Sequence, residues 1–269
     1  MGMTITEYIL AHASGQETVK PGDTIRVHAD ILLMHDVCGP EAIGIFKQNS
    51  GADARVFRRD GIVIIPGHGS PERRGLEVLR EFVQEQDLPY FYDPGTTDYI
   101  GTCHEAFPKR GHCRPGEIVF GTDPRTCMHG AFGLFAACVS NAEAAEIMAT
   151  GFHRMTVPQS VRVEVDGLPA VERGGLEKLV ERLRTDLPGG CNGCALEFCG
   201  PAVEQLKVED RKKLCTVAAD AGAVNAIVAL DQKTLEYVKA RSNKPFTCFF
   251  SDSDAIYKET RSYRADDFR

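Results

Sequence analysis

Chemistry concentrates between residues 101 and 133, GTCHEAFPKRGHCRPGEIVFGTDPRTCMHGAFG. Here His104, His112, Asp123, Arg125 and the thiols of Cys103 and Cys127 gather around one predicted strand, Glu117–Phe120. Imidazoles and a carboxylate can exchange protons near neutral pH, and a guanidinium can hold a carboxylate or phosphate. Residues that leave the carboxyl end of a strand sit where open α/β sheets bind ligands. The glycine-rich half, GTDPRTCMHGAFG, reads as leading into an apolar helix, so it offers backbone N–H groups to an anion. A plainer reading makes His104 and His112 loop histidines and Asp123 a helix cap. That reading needs several coincidences in one short stretch.

The elements that must position these residues follow from the flanking patterns. Thr4–Glu7 forms a capping box opening a helix to about His12, and Asp23–Asp30 alternates as a short strand. Pro40 opens a helix after the loop HDVCG. Gly61–Pro66 is a continuous apolar run, the pattern of a strand covered on both faces. It ends at His68, above a helix capped by Ser70 with Pro71 at its first position. Pro89–Asp93 is a further short strand, and Asn141 caps a helix to about Ala149. Strands alternating with helices indicate an α/β fold with a largely parallel sheet. The pattern shifts at Gly151–Pro158, which divides the chain into residues 1–150 and 151–269. Beyond it come a strand (Val161–Gly167), a helix (Glu172–Leu187) with Leu176, Leu179, Val180 and Leu183 on one face, a helix (Glu209–Ala221), a buried strand (Ala226–Leu230) and a helix capped by Asp231. The polar tail from Ser251 reads as partly disordered.

Taken together, Gly101–Glu105 and Arg114-Pro115-Gly116 through Gly121-Thr122-Asp123-Pro124-Arg125-Thr126 resemble motifs of the aconitase superfamily. The resemblance is to the large subunit of 3-isopropylmalate dehydratase and homoaconitase, with G-x-x-H-Q followed by R-P-G-x-x-x-x-G-x-D-S-H-T, and it extends over essentially the whole chain. It implies aconitase-like α/β/α domains and a lyase or isomerase that moves a hydroxyl between adjacent carbons of a small carboxylate-bearing substrate. It also implies an iron–sulfur cluster held by three cysteines of a further domain, in G-S-C-T-N and C-x-x-C motifs; none of these follows Asp252. By the same resemblance His104 pairs with Asp220, where a glutamate is usual, and Asp123, Arg125 and His68 complete a catalytic set. Cys38, Thr126 and Thr216 would line the substrate cleft. The departures are Cys38 for a threonine, Gly67 for the aspartate before His68, Thr216 for an asparagine, and Pro124-Arg125 for Ser-His. They imply altered catalysis. The alternatives are a decayed, non-catalytic domain and a half-enzyme completed by a separate chain that supplies the cluster domain.

Cys191-x-x-Cys194-x4-Cys199 has the strongest metal-like spacing in the sequence, with Gly189, Gly190 and Gly193 permitting a tight turn. An iron–sulfur cluster, zinc or iron fits it, as does a set of unliganded thiols. Cys138 and Cys248, in apolar runs, read as buried thiols. Ten cysteines with no export signal point to a reducing, cytoplasmic setting. The net charge of −7 argues against nucleic acid and anionic membranes, and no apolar run approaches the roughly 20 residues of a membrane span. A homo-oligomer or a partner subunit is expected, since an apolar face should remain where further structure packs.

Overall fold

The computed structural model describes residues 2–67, 74–167, 174–187 and 189–264. The chain opens with α1 (Ile5–Ser14), whose capping box is formed: Thr4 Oγ1 accepts from Glu7 N, and Glu7 Oε2 accepts from Thr4 N. β1 (Thr24–His28) pairs antiparallel with β7 (Phe152–Thr156), so the stretch read as a boundary contains a strand that returns to the start of the chain. Between them lies a five-stranded parallel sheet built from β2 (Ile31–Met34), β3 (Ile62–Ile64), β4 (Tyr90–Phe91), β5 (Ile118–Gly121) and β6 (Phe135–Cys138), in the order β4-β3-β2-β5-β6. Its connections carry α2 (Gly39–Ser50), α3 (Arg74–Gln86), α4 (Cys103–Lys109) and a 3₁₀ helix (Pro124–Phe132). α5 (Asn141–Thr150) follows β6 and is capped by Ser140, one residue before the expected Asn141. Both His68 and the Ser70–Pro71 helix start lie outside the described residues.

A second parallel sheet takes the rest of the chain, in the order β10 (Asn225–Val228), β9 (Ala195–Cys199), β8 (Ser160–Asp166), β11 (Glu259–Arg264). α6 (Gly175–Asp186) buries the four apolar residues expected of it. α7 (Pro201–Gln205), α8 (Val208–Asp220) and α9 (Gln232–Lys239), the last capped by Asp231, complete the order.

The continuous apolar runs are explained by two cores that share the first sheet. Leu32, Met34, Ile62, Ile64, Ile118 and Phe120 face one core, packed by α1, α2, α3 and α5. The alternate residues Ile31, Leu33, Val63 and Val119 face the other, which continues into Val161, Val163, Leu196 and Phe198 of the second sheet. The halves meet closely. A Cβ on Gly130 of the 3₁₀ helix would lie 1.7 Å from the Ala226 carbonyl oxygen of β10, and Asn225 Oδ1 accepts from Ala136 N at 3.1 Å.

Three expectations are corrected. The GTDPRTCMHGAFG segment leads through a 3₁₀ helix into strand β6, not into an apolar helix. Gly133 in the left-handed region ends the turn there (φ 74°), and a four-residue apolar run cannot by itself tell strand from helix. The tail contributes a strand, because β11 closes the second sheet beside β8 and Lys258 N donates to Ser160 O at 2.8 Å. Finally, Cys138 and Cys248 are exposed, not buried.

Candidate active site

The order of the first sheet reverses at β2. The chain runs outward from β2 to β3 and β4, then resumes on the other side with β5 and β6. The loops leaving β2 and β5 therefore diverge and open a crevice at their carboxyl ends. β2 delivers His35, Asp36, Val37 and Cys38; β5 delivers Thr122 and Asp123. α4 brings Cys103 and His104 to the same place. His104 Nε2 lies 3.6 Å from Asp123 Oδ2, with the two side chains 19% and 12% exposed. Cys103 Sγ is 3.9 Å from His104 Nδ1.

Each partner is held from behind. Asp123 Oδ1 accepts from Arg125 N at 2.7 Å, and Thr126 Oγ1 donates to the Asp123 carbonyl at 2.6 Å. Thr126 is thus buried and spent on fixing Asp123, where substrate contact was expected. The second half of the molecule steadies α4, since Lys212 Nζ of α8 donates to the His104 carbonyl at 3.0 Å. Arg125 is exposed beside Asp123, and among the described residues its side chain forms no ion pair.

The neighbouring thiols are kept protonated. Burial, reinforced by the Asp123 charge, pushes Cys103 up to about 12, and burial does the same for Cys127. Cys38, at the start of α2, is raised by burial and then by Asp123 and Glu41. Cys138, at the end of β6, is exposed as a residue, but its sulfur faces the crevice floor, where partial desolvation and then the Asp123 charge raise it to about 11. Thiolate nucleophiles are therefore disfavoured here, and proton exchange falls to His104 with Asp123.

Other expected residues stand elsewhere. Asp220, at the end of α8, accepts from Arg184 Nε at 2.8 Å, and the carboxylate beside His104 is Asp123. The Thr216 hydroxyl turns back to the Lys213 carbonyl within α8. His112 is buried, with Nε2 2.6 Å from the Tyr92 hydroxyl, and burial lowers it to about 3. Asp36, Lys212 and Cys138 were not anticipated. Asp36 lay in a quoted loop, but only the sheet order reveals that the β2 loop faces the β5 loop.

The resemblance implies a cluster, so the thiols must be tested for a three-thiolate set. Cys191 and Cys194 are buried in the shared core, and Cys194 Sγ meets Lys258 Nζ at 3.5 Å. Cys199, at the end of β9, hydrogen-bonds the Arg162 side chain. Among the described residues the only metal-sized grouping of three or more His, Cys, Asp or Glu is Cys103, His104 and Asp123, which holds one thiol. The described thiols do not fit a cubane cluster with three cysteine ligands.

The sequence matches the model of the aconitase family (aconitate hydratase) over residues 7–267. It is 38% identical to the chloroplastic 3-isopropylmalate dehydratase large subunit of Arabidopsis thaliana, covering 98% of this chain and 54% of that protein. A probable 3-isopropylmalate dehydratase large subunit of Methanothermobacter thermautotrophicus is 36% identical, over 95% and 61%. A probable methanogen homoaconitase large subunit of the same organism is 32% identical, over 98% and 63%. The chain thus spans less than two thirds of the length of these relatives. No described helix is long and apolar enough to cross a membrane. With a family match along nearly its whole length and the motif histidine and aspartate facing each other in the crevice, the chain belongs to the aconitase family.

Proposed function

We propose that this chain carries acid–base machinery of a hydro-lyase of the 3-isopropylmalate dehydratase type, acting on a small carboxylate-bearing substrate. The observation behind this reading is the His104–Asp123 pair, 3.6 Å apart at the reversal point of a parallel sheet. Dehydration removes a hydroxyl and a proton from adjacent carbons. As imidazolium, His104 gives its proton to the departing hydroxyl, which leaves as water, while the proton on the adjacent carbon passes to a second base outside the His104–Asp123 pair; in hydration the neutral ring takes a proton from the incoming water and that second group returns one to the carbon. Asp123, pinned by Arg125 N and Thr126, stabilises the imidazolium and fixes the ring. Arg125, exposed at the mouth, pairs with a substrate carboxylate. All ten cysteines are free, which supports a reducing, cytoplasmic setting.

A second reading rests on the names of the relatives, which are large subunits: turnover requires a separate partner subunit. One experiment addresses both: hydration of a conjugated dicarboxylate, followed by loss of its ultraviolet absorbance, with the chain alone and with a complementing subunit added. Turnover by the chain alone that disappears in His104→Ala supports the first reading. Turnover that requires the added subunit supports the second, and turnover indifferent to His104 removes the assigned role.

A further inference from the structure

Cys103 and His104 are consecutive in the first turn of α4, and Asp123 follows β5, so one ligand from each of three chemical classes converges from two elements. Their donor atoms all lie within 4.8 Å of one another. An ion with tetrahedral bonds of about 2.0–2.3 Å holds its ligand atoms roughly 3.3–3.8 Å apart. The His104 Nε2–Asp123 Oδ2 separation of 3.6 Å falls in that range. Cys103 Sγ lies 3.9 Å from the other ring nitrogen, Nδ1, and the two ring nitrogens cannot share one ion, so the thiol or the ring must turn until a single nitrogen faces both partners. With all three donors within 4.8 Å of one another, side-chain rotation brings one nitrogen, one sulfur and one oxygen onto a single ion.

We propose that Cys103, His104 and Asp123 form a binding site for a zinc-class divalent cation, and that its occupation switches the acid–base pair off. Binding of the ion displaces the Cys103 proton to solvent; the resulting thiolate and the carboxylate together supply two negative charges, which neutralise a divalent ion, and the mixed sulfur, nitrogen and oxygen set suits a borderline-soft metal. Calcium and magnesium, which prefer oxygen, are disfavoured. His104 and Asp123 keep partial exposure, so the fourth position opens on the crevice. Thr126 and the Arg125 backbone hold Asp123 in place before any ion arrives. A metal-bound imidazole nitrogen cannot take or give a proton, so the ion inhibits by occupying the lone pair that catalysis needs. The proposal rests on the same pair as the hydro-lyase reading and adds a ligand and a regulatory consequence to it.

The test titrates Co²⁺ into the full metal-free chain under anaerobic conditions, without substrate. The expected result is one Co²⁺ per chain, with a thiolate-to-cobalt charge-transfer band in the near ultraviolet that Zn²⁺ abolishes by displacement. Cys103→Ser should remove the band and weaken binding by roughly a hundredfold or more, whereas the Cys191→Ser/Cys194→Ser double variant should leave both unchanged. If Cys103→Ser fails to fold by circular dichroism, His104→Gln, at a partly exposed side chain, carries the same test. No Co²⁺ binding, or a thiolate band that survives Cys103→Ser, overturns the proposal. Stoichiometric Zn²⁺ that binds here yet leaves turnover intact overturns the inhibitory part. Because binding is read without substrate, an inactive chain that binds Co²⁺ counts against the hydro-lyase reading alone. An active chain that binds none counts against the metal site alone.

Discussion

The two ends of the parallel strands carry similar residue types and treat them differently. At the carboxyl ends of the first sheet, Cys38, Cys103, His104, Asp123 and Cys138 face one another across a crevice opened by the reversal of strand order. At the amino ends, polar groups bind the backbone and their chain neighbours. Asp30 Oδ2 accepts from Ile118 N at 2.8 Å, and Glu117 Oε1 accepts from Arg114 Nε at 2.6 Å. His12, His28, Asp30, Glu117 and Phe246 line a cavity of about 280 Å³ there, away from the His104–Asp123 pair. Cys191 and Cys194 also precede the amino end of their strand, β9, and are packed in core. Residue type therefore did not select the site. What distinguishes the carboxyl ends is that adjacent strands send their loops in opposite directions, so that polar groups from different loops meet across a crevice.

The sharpest way to break this comparison is to alter one histidine at each kind of location. His104→Ala should lower turnover by about 10²–10⁴-fold, the usual range for a positioned acid–base group. His112→Ala should leave the chemistry in place and destabilise the fold, since it empties a buried position and strips the Tyr92 hydroxyl of its partner. Initial rates and thermal melts on both variants check this, and equal losses of turnover would dissolve the distinction.

The amino end should respond to pH through stability alone. Burial raises the Glu117 carboxyl from 4.5 to about 7, with Arg114 partly opposing it, and the side chain is only 16% exposed. The folded state thus keeps a proton that the unfolded state has released. The stability tied to that proton is fully present below about pH 4.5 and is lost as pH rises through about 7. The loss amounts to at most about 3 kcal/mol. Glu117→Gln removes this dependence, so its stability relative to the parent should climb between pH 5 and 8 in denaturant titrations. A constant difference across that range would mean that Glu117 titrates normally.

The buried C-x-x-C comes next in size. Cys191→Ser or Cys194→Ser places a hydroxyl among core residues and should cost about 1–3 kcal/mol each, with no change in bound metal. A loss of metal without a loss of stability would reinstate the ligand role that the spacing suggested. This contrast also shows what the sequence could convey. Local signals were legible: the Thr4–Glu7 capping box, the buried stripe of α6, the Asp231 cap of α9 and the apolar run of β3 each depend on neighbours within a turn or a strand. β2, the central strand, escaped notice because only Ala29 and Asp30 separate it from β1, and the two strands enter different sheets. The burial of Cys191 and Cys194 was equally illegible, since PGGCNGC has few apolar residues of its own. Leu187 and Leu196 nearby, with Ala218 and Ala221 from α8, belong to the same core. Long-range packing decided both.

The smallest expected effect tests the one pairing that the motif and the geometry assign differently. By resemblance Asp220 is the carboxylate partner of His104; in the structure it closes α8 and pairs with Arg184 of α6 at 2.8 Å. Lys212, which does reach the His104 carbonyl, lies eight residues earlier on the same helix, and eight helical residues correspond to about 12 Å along its axis. The Asp220 carboxylate is 48% exposed, so losing the ion pair should cost no more than about 1 kcal/mol. Asp220→Asn should accordingly change turnover by less than about twofold, while Asp123→Asn, which leaves His104 without its charged neighbour, should approach the loss seen in His104→Ala. The pair of variants separates two pictures of the crevice. If Asp220→Asn is the damaging one, α8 must shift toward α4 when substrate binds, carrying its last turn to His104 and releasing Arg184. If Asp123→Asn is, the arrangement seen here is already the working one, and the carboxylate partner of His104 is the aspartate that follows β5.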